Sequence, residues 1–164
     1  MRFFILFSCI LFSFASASGE CHHDKSTFRC VKYIRNYDAD TVTFNIPSVH
    51  PLIGEKINVR VLGVDTPEFR TKNKCEKEKA RNAKKLVKNL LKKAKRIDLI
   101  NVSRGKYFRV VADVIIDGKS LSFYLLKNGL AVSYDGGRKK TVNWCMKSRD
   151  IASLNEKATK DKNE

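Results

Sequence analysis

Acidic residues are scarce in this sequence: 17 Asp and Glu stand against 33 Lys and Arg, a formal net charge of +16. Such a surplus favours a polyanionic partner, whether nucleic acid, an anionic membrane surface or an acidic polysaccharide, without choosing among them. Long apolar runs are missing after the first residues, so no later segment approaches the roughly 20 apolar residues of a membrane-spanning helix. No CxxC or Cys/His pair has zinc-ligand spacing, which argues against a structural zinc, and His22 and His23 beside Cys21 are expected to be solvated. Internal repeats are absent, which excludes a solenoid or propeller, and nothing in the sequence signals an oligomer.

What is present is the composition of an ordinary globular domain, 43% apolar and 30% charged, at a length that suits one core. The start of the chain is read apart from it. "MRFFILFSCILFSFASASG" has a minimal basic region at Arg2, an apolar stretch from Phe3 to Phe14 and an Ala15-Ser16-Ala17 cleavage pattern. Residues 1–17 are therefore expected to be a signal peptide and the protein to be exported, to a periplasm or the medium; an uncleaved anchor is the alternative. Cleavage removes Cys9 and leaves Cys21, Cys30, Cys75 and Cys145. In an exported chain an even number of cysteines reads as disulfides, with three pairings open. Cys21–Cys30 with Cys75–Cys145 is preferred: the first ties down the mature N-terminus, and the second closes a long loop, which chain entropy makes worth about 4 kcal/mol.

Phe28 to Ile46 is rich in β-branched and aromatic residues and is interrupted at "NYDAD", which predicts two strands meeting at a turn. "IPSVHPLIGE" reads as a loop, and "KINVRVLGV" as a third strand. In "CEKEKARNAKKLVKNLLKKAK", Ala80, Ala83, Val87, Leu90, Leu91 and Ala94 recur at three- and four-residue intervals, which predicts an amphipathic helix with a solvated lysine face. "RIDLINVS" and "FRVVADVII" follow as strands, then a short helix over Ser120–Lys127 that stops at Asn128-Gly129, and a short strand in "LAVSY". Residues 18–145 are expected to form the domain. The polar stretch 146–164 is expected to be a weak helix fraying into disorder. Five or so strands with two to three helices suggest a mainly β, α+β fold: a small, partly open barrel.

Charged residues stand out at four places: Asp40 in "DADTV", Arg60 in "NVRVLG", Asp65 with Glu68 in "DTPE", and Arg109 in "GKYFR". Each has a plain structural reading. Asp38 and Asp40 suit a hairpin turn, Asp65 a cap at a strand end and Glu68 a solvated position. Arg60 is harder to account for, because a guanidinium in an alternating apolar strand wants a fixed anionic partner. Taken as one site, the set is coherent. Hard divalent cations take oxygen ligands, so Asp40, Asp65, a backbone carbonyl and waters suit calcium. Pro67 disfavours helical backbone at Thr66, which would present the Thr66 carbonyl. Glu68 would accept a proton from a polarised water, and two arginines would donate to non-bridging oxygens as charge builds at phosphorus. This is the chemistry of metal-assisted phosphodiester hydrolysis. Arg60 and Asp65 have opposite strand parity, so a shared site requires a break between them, for which Gly63 and Pro67 provide.

"DADTVTF", "VRVLGVDTPE" and "GKYFRVVADVIIDGKSL", in that order with a lysine-rich helix between the last two, resemble the staphylococcal nuclease (thermonuclease) family over roughly Val31 to Tyr134. The resemblance implies an OB-fold five-stranded barrel with helices and calcium-dependent cleavage of DNA and RNA. It implies Asp40, Asp65 and the Thr66 carbonyl as Ca2+ ligands, Glu68 as general base, and Arg60 and Arg109 on the scissile phosphate. Lys106 and Tyr107 fall where members contact a neighbouring phosphate. Two positions depart from the pattern: Ala39 and Phe108 each replace a frequent glycine, and neither is a metal ligand or catalytic group, though Phe108 would alter how the strand meets the substrate.

An open barrel face with a basic rim suits an extended single strand, with Tyr107 and Tyr134 as candidates for stacking or phosphate contact. The expected substrates are DNA and RNA, single-stranded or locally unpaired, with little sequence preference. A monomer without stable membrane association after cleavage is expected. The alternatives are a non-catalytic nucleic-acid-binding module, a general polyanion binder, and a phosphatase suggested by the loose DxDxT/V echo in "DADTV". The last needs strands alternating with helices on a parallel sheet, which a strand-first chain of this length does not supply.

Overall fold

The computed structural model describes residues 21–139 and 141–160. The signal peptide expected over residues 1–17 lies outside them, and among the described residues no helix is long and apolar enough to cross a membrane. Strands β1 (Lys32–Asn36) and β2 (Thr41–Asn45) pair antiparallel, and β2 pairs with β3 (Ile57–Val61). The predicted loop between β2 and β3 carries one helical turn, α1 (Pro51–Gly54). Its starting proline needs no hydrogen-bond partner, and the His50 side chain caps the Leu52 N–H. β4 (Val64–Asp65) leaves the main sheet, and α2 (Lys74–Lys93) follows. β5 (Ile97–Arg104) and β6 (Val110–Ile116) form the longest hairpin, and β7 (Lys119–Ser120) turns back onto β6. α3 (Leu121–Lys127), β8 (Val132–Ser133) and α4 (Ser148–Lys160) complete the chain.

The main sheet runs β1-β2-β3-β6-β5, with β3 and β6 parallel. At its far edge β5 meets the segment before β1: Phe28 and Leu99 exchange backbone bonds of 2.8 and 2.7 Å, and Val31 N–H reaches the Ile97 carbonyl at 2.9 Å. These bonds curl the sheet into an OB-type barrel that is not closed by a full ladder. Its mainly β, α+β class is the one the sequence suggests. The core inside the curl includes Val42, Phe44, Val59, Leu99 and Val114, none of them exposed. Burying each such side chain contributes about 1.5–3 kcal/mol.

Helix α2 seals one side of the barrel with the stripe expected from its periodicity, Ala80, Ala83, Val87 and Leu91. Two disulfides, Cys21–Cys30 and Cys75–Cys145, match the preferred pairing; the second ties the first turn of α2 to the segment after β8. One expectation does not hold. His23 is not simply solvated: its Nε2 is 2.6 Å from the Pro47 carbonyl, and its Nδ1 accepts from Arg29 N–H. The helix expected in the polar stretch forms as the thirteen-residue α4, anchored by buried Ile151 and by Asn155, whose amide donates to the Leu126 and Ala131 carbonyls; residues 161–164 lie outside the described ones. Gly129, with φ +59°, ends α3 beneath it; a Cβ there would lie 1.8 Å from the Ser148 carbonyl oxygen, so only glycine fits.

Candidate active site

The turn between β1 and β2 is built by Asp38, whose Oδ1 accepts from the Asp40 and Thr41 N–H groups at 3.1 and 2.6 Å. It turns Asp40 inward, where only 3% of that residue is exposed. Ala39 has no left-handed backbone and sits in the core, so its methyl group adds packing without strain. Burial, then repulsion from Asp40, raises the Asp38 pKa to about 6, against the backbone donors that hold it down.

Arg60 lies opposite Thr41 in the β2–β3 ladder. Its Nη1 pairs with Asp40 Oδ1, and its Nη2 donates to Asp65 Oδ1 and to the Val64 carbonyl, each at 3.2 Å. The parity conflict is resolved by a break in the strand. Gly63 takes φ +80°, and Val64–Asp65 pair with Ser133 and Val132 of β8 instead of continuing β3. Thr66 then donates to Asp40 Oδ2 from its N–H, at 3.2 Å, and its hydroxyl, at 2.6 Å. One guanidinium and one threonine thus tie the two buried aspartates into one cluster.

Glu68 follows on an exposed loop. The side chain of Glu76, at the third position of α2, accepts from the Glu68 N–H at 3.1 Å and from the Thr71 hydroxyl at 2.8 Å, and Asn73 caps the helix at Glu76 N–H. Lys139, from the segment after β8, reaches Asp65 Oδ1 at 2.8 Å and Glu68 Oε1 at 2.9 Å. Burial lowers the Lys139 pKa, and the hydrogen bonds to Asp65 and then Glu68 outweigh it, so the net shift is upward. Sequence reasoning missed both Lys139 and Glu76. Asn73 followed by an acid three residues on is a helix-start signal that marks Glu76; "DGGRKK" marks only a basic turn.

Beside this cluster lies a cleft of about 270 Å³ lined by Arg60, Arg109, Lys106 and Tyr134 among others. Arg109 makes no ion pair among the described residues and is exposed, so its guanidinium is available to an anion. Lys106 Nζ donates to the Gly136 carbonyl at 3.3 Å. Tyr107 is not part of the lining; it stands 86% exposed at the turn between β5 and β6.

Among the described residues no three His, Cys, Asp or Glu side chains converge as a metal cluster. A divalent ion would rest on two carboxylates, Asp40 and Asp65, with the Thr66 carbonyl. These are all oxygen donors, carried by residues that one guanidinium and one threonine hold together, and such a lean set completed by water fits a hard cation such as calcium.

The family model described as staphylococcal nuclease homologue matches residues 58–164. The chain belongs to the staphylococcal nuclease family. Arg60, Asp65, Thr66, Glu68, Lys106, Tyr107 and Arg109 fall inside the matched stretch of this nuclease-family chain; Asp40 precedes it and joins the cluster through the fold. Among proteins of Bacillus subtilis (strain 168), the chain is 41% identical over 80 residues to endonuclease YncB and 38% identical over 101 residues to the SPbeta prophage-derived endonuclease YokF. The alignments cover 48% and 59% of this chain but only 38% and 31% of the relatives, so it spans about a third of their length.

Proposed function

We propose that this protein is a calcium-dependent nuclease that hydrolyses phosphodiester bonds of DNA and RNA with little sequence preference, acting best on unpaired strands. The observation that carries the reading is the Arg60 guanidinium held between Asp40 and Asp65, with Lys139 linking Asp65 to Glu68 and Arg109 lining the same cleft as Arg60. Family membership and the names of the two endonuclease relatives support it.

In this reading Arg60 and Arg109 grip the non-bridging oxygens of the scissile phosphate and gain strength as negative charge builds there. Glu68 accepts the proton of the attacking water while the water oxygen bonds to phosphorus and the ester oxygen departs. Asp40, Asp65 and the Thr66 carbonyl would hold calcium, which supplies a fixed positive charge beside the phosphate and the water. Lys106, on the same cleft, contacts a neighbouring phosphate, and such contacts position a strand without reading its bases. The two disulfides support an exported protein working in an oxidising compartment.

The test is release of acid-soluble nucleotides from denatured DNA, with calcium and with chelator, by the native protein and a Glu68→Gln variant. Calcium-dependent release that falls by about 10²–10⁴ in the variant is expected. A native protein that binds DNA but releases nothing with any metal would sink the reading and leave a binding module.

A further inference from the structure

Two aromatic side chains stand in water at the turn between β5 and β6. Tyr107 is 86% exposed and Phe108 81%, and both take left-handed backbone, at φ +59° and +58°. That region is strained for any residue with a Cβ and uncommon for bulky ones. An exposed phenyl ring also gains nothing from burial. A glycine at position 108 would remove both costs, so neither backbone nor burial gives a reason for phenylalanine there. Strain and exposure together point to a ligand.

Phe108 is not loosely held. The Arg104 guanidinium lies 5.8 Å from the ring centroid, and its Nη1 donates to the Phe108 carbonyl at 3.4 Å. Gly105 N–H closes the turn onto the Arg109 carbonyl at 2.8 Å, and Gly105 packs so tightly that a Cβ would come within 2.6 Å of Val111. The turn is therefore fixed at its base, and the ring is steadied from one side and left open on the other. Arg104, Lys106 and Arg109 flank it in sequence, and the stretch from Ser103 to Val110 has no acid. An open aromatic face amid cations, next to the arginine proposed to hold the scissile phosphate, has the features of a base-stacking platform.

We infer that Phe108 receives an unpaired nucleobase on its open face while the phosphates of the same strand lie along Arg104, Lys106 and Arg109. The inference rests on the nuclease reading and deepens it by naming a residue that sets preference for single-stranded substrate. A base within a duplex already has both faces stacked on its neighbours and cannot reach the ring without being pulled out. Stacking on Phe108 therefore favours strands that are already open.

The experiment measures binding of a fluorescent oligothymidylate, and of a duplex of equal length, in chelator so that nothing is cleaved. The native protein is compared with Phe108→Leu, which keeps apolar bulk and a Cβ but has no ring, and with Phe108→Gly, which relieves the strain. Single-strand affinity is expected to fall about five- to hundredfold in both variants, with duplex affinity changed less than twofold. Unchanged single-strand affinity, or equal losses on both substrates, would overturn the inference. So would loss of sedimentation with anionic vesicles at unchanged oligonucleotide affinity, which would make the ring a membrane contact. If the native protein cleaves denatured DNA but the variants bind as it does, stacking alone fails; if it neither binds nor cleaves, the nuclease reading fails with it.

Discussion

Lys139 and Asp65 form an ion pair of 2.8 Å on the same carboxylate oxygen that accepts from Arg60. The ammonium also holds Glu68 at 2.9 Å, so one internal cation spans a proposed metal ligand and the proposed general base. A divalent ion bound at Asp65 has to share that oxygen with the ammonium or displace it, and the two positive charges repel. Replacing Lys139 with methionine keeps much of the aliphatic stem and removes the charge. Calcium binding followed by calorimetry is expected to become several-fold tighter in Lys139→Met, most clearly at low ionic strength where screening is weakest. Equal affinity in the two proteins would mean that the side chain swings away at no cost.

Asp38 gives a pH dependence whose sign follows from its environment. Its carboxyl pKa is about 6 in the folded protein against 3.8 for an unperturbed aspartate, raised first by burial and then by Asp40. Between those values the folded state binds more protons than the unfolded state, so this group's contribution to stability declines as pH rises from about 4 to about 6 and is level above. Asp38→Asn keeps an oxygen acceptor for the Asp40 and Thr41 N–H groups without the charge. In chelator, urea titrations at pH 7.5 are expected to show the variant more stable by about 1–2 kcal/mol, a figure discounted for solvent screening. At pH 4 the gain should be gone. A gain that persists there would point to packing, not charge.

Elements with a strong period were legible before the structure. Ala80, Ala83, Val87 and Leu91 announce α2 because their spacing is helical and lysine fills the other faces. A break near Gly63 was readable because Arg60 and Asp65 have opposite strand parity, with Gly63 and Pro67 to supply it. That Arg60 needs an anionic partner was also legible, since a guanidinium in an apolar strand demands one, and Asp40 and Asp65 supply it; Thr66 enters the cluster through its N–H and hydroxyl, where the sequence had suggested only its carbonyl. What could not be read depended on contacts between distant parts of the chain. Lys139 looks like any basic loop residue until the fold brings it 71 positions back to Glu68. Helix α4 has few apolar residues, and part of its anchoring comes from the Asn155 amide meeting two backbone carbonyls, an interaction with no hydrophobic period to announce it.

That anchoring has a consequence for the site. Asn155 is 8% exposed, and its amide donates to the Ala131 carbonyl at 3.0 Å and the Leu126 carbonyl at 3.2 Å. Ala131 leads directly into β8, where Val132 pairs with Asp65. Asn155→Ala removes the amide and leaves two carbonyls without these donors, a loss of about 1–3 kcal/mol by the usual scale for such groups. The same loss frees the end of β8 and, through the Asp65–Val132 pairing, the backbone that presents Asp65. Urea titration is expected to register the lower stability. In the nuclease assay, half-maximal release should need more calcium than in the native protein, while the rate at saturating calcium changes little, because no group proposed to touch the phosphate has been removed. A lower saturating rate at an unchanged calcium requirement would instead mean that α4 acts on the chemistry by a route other than Asp65.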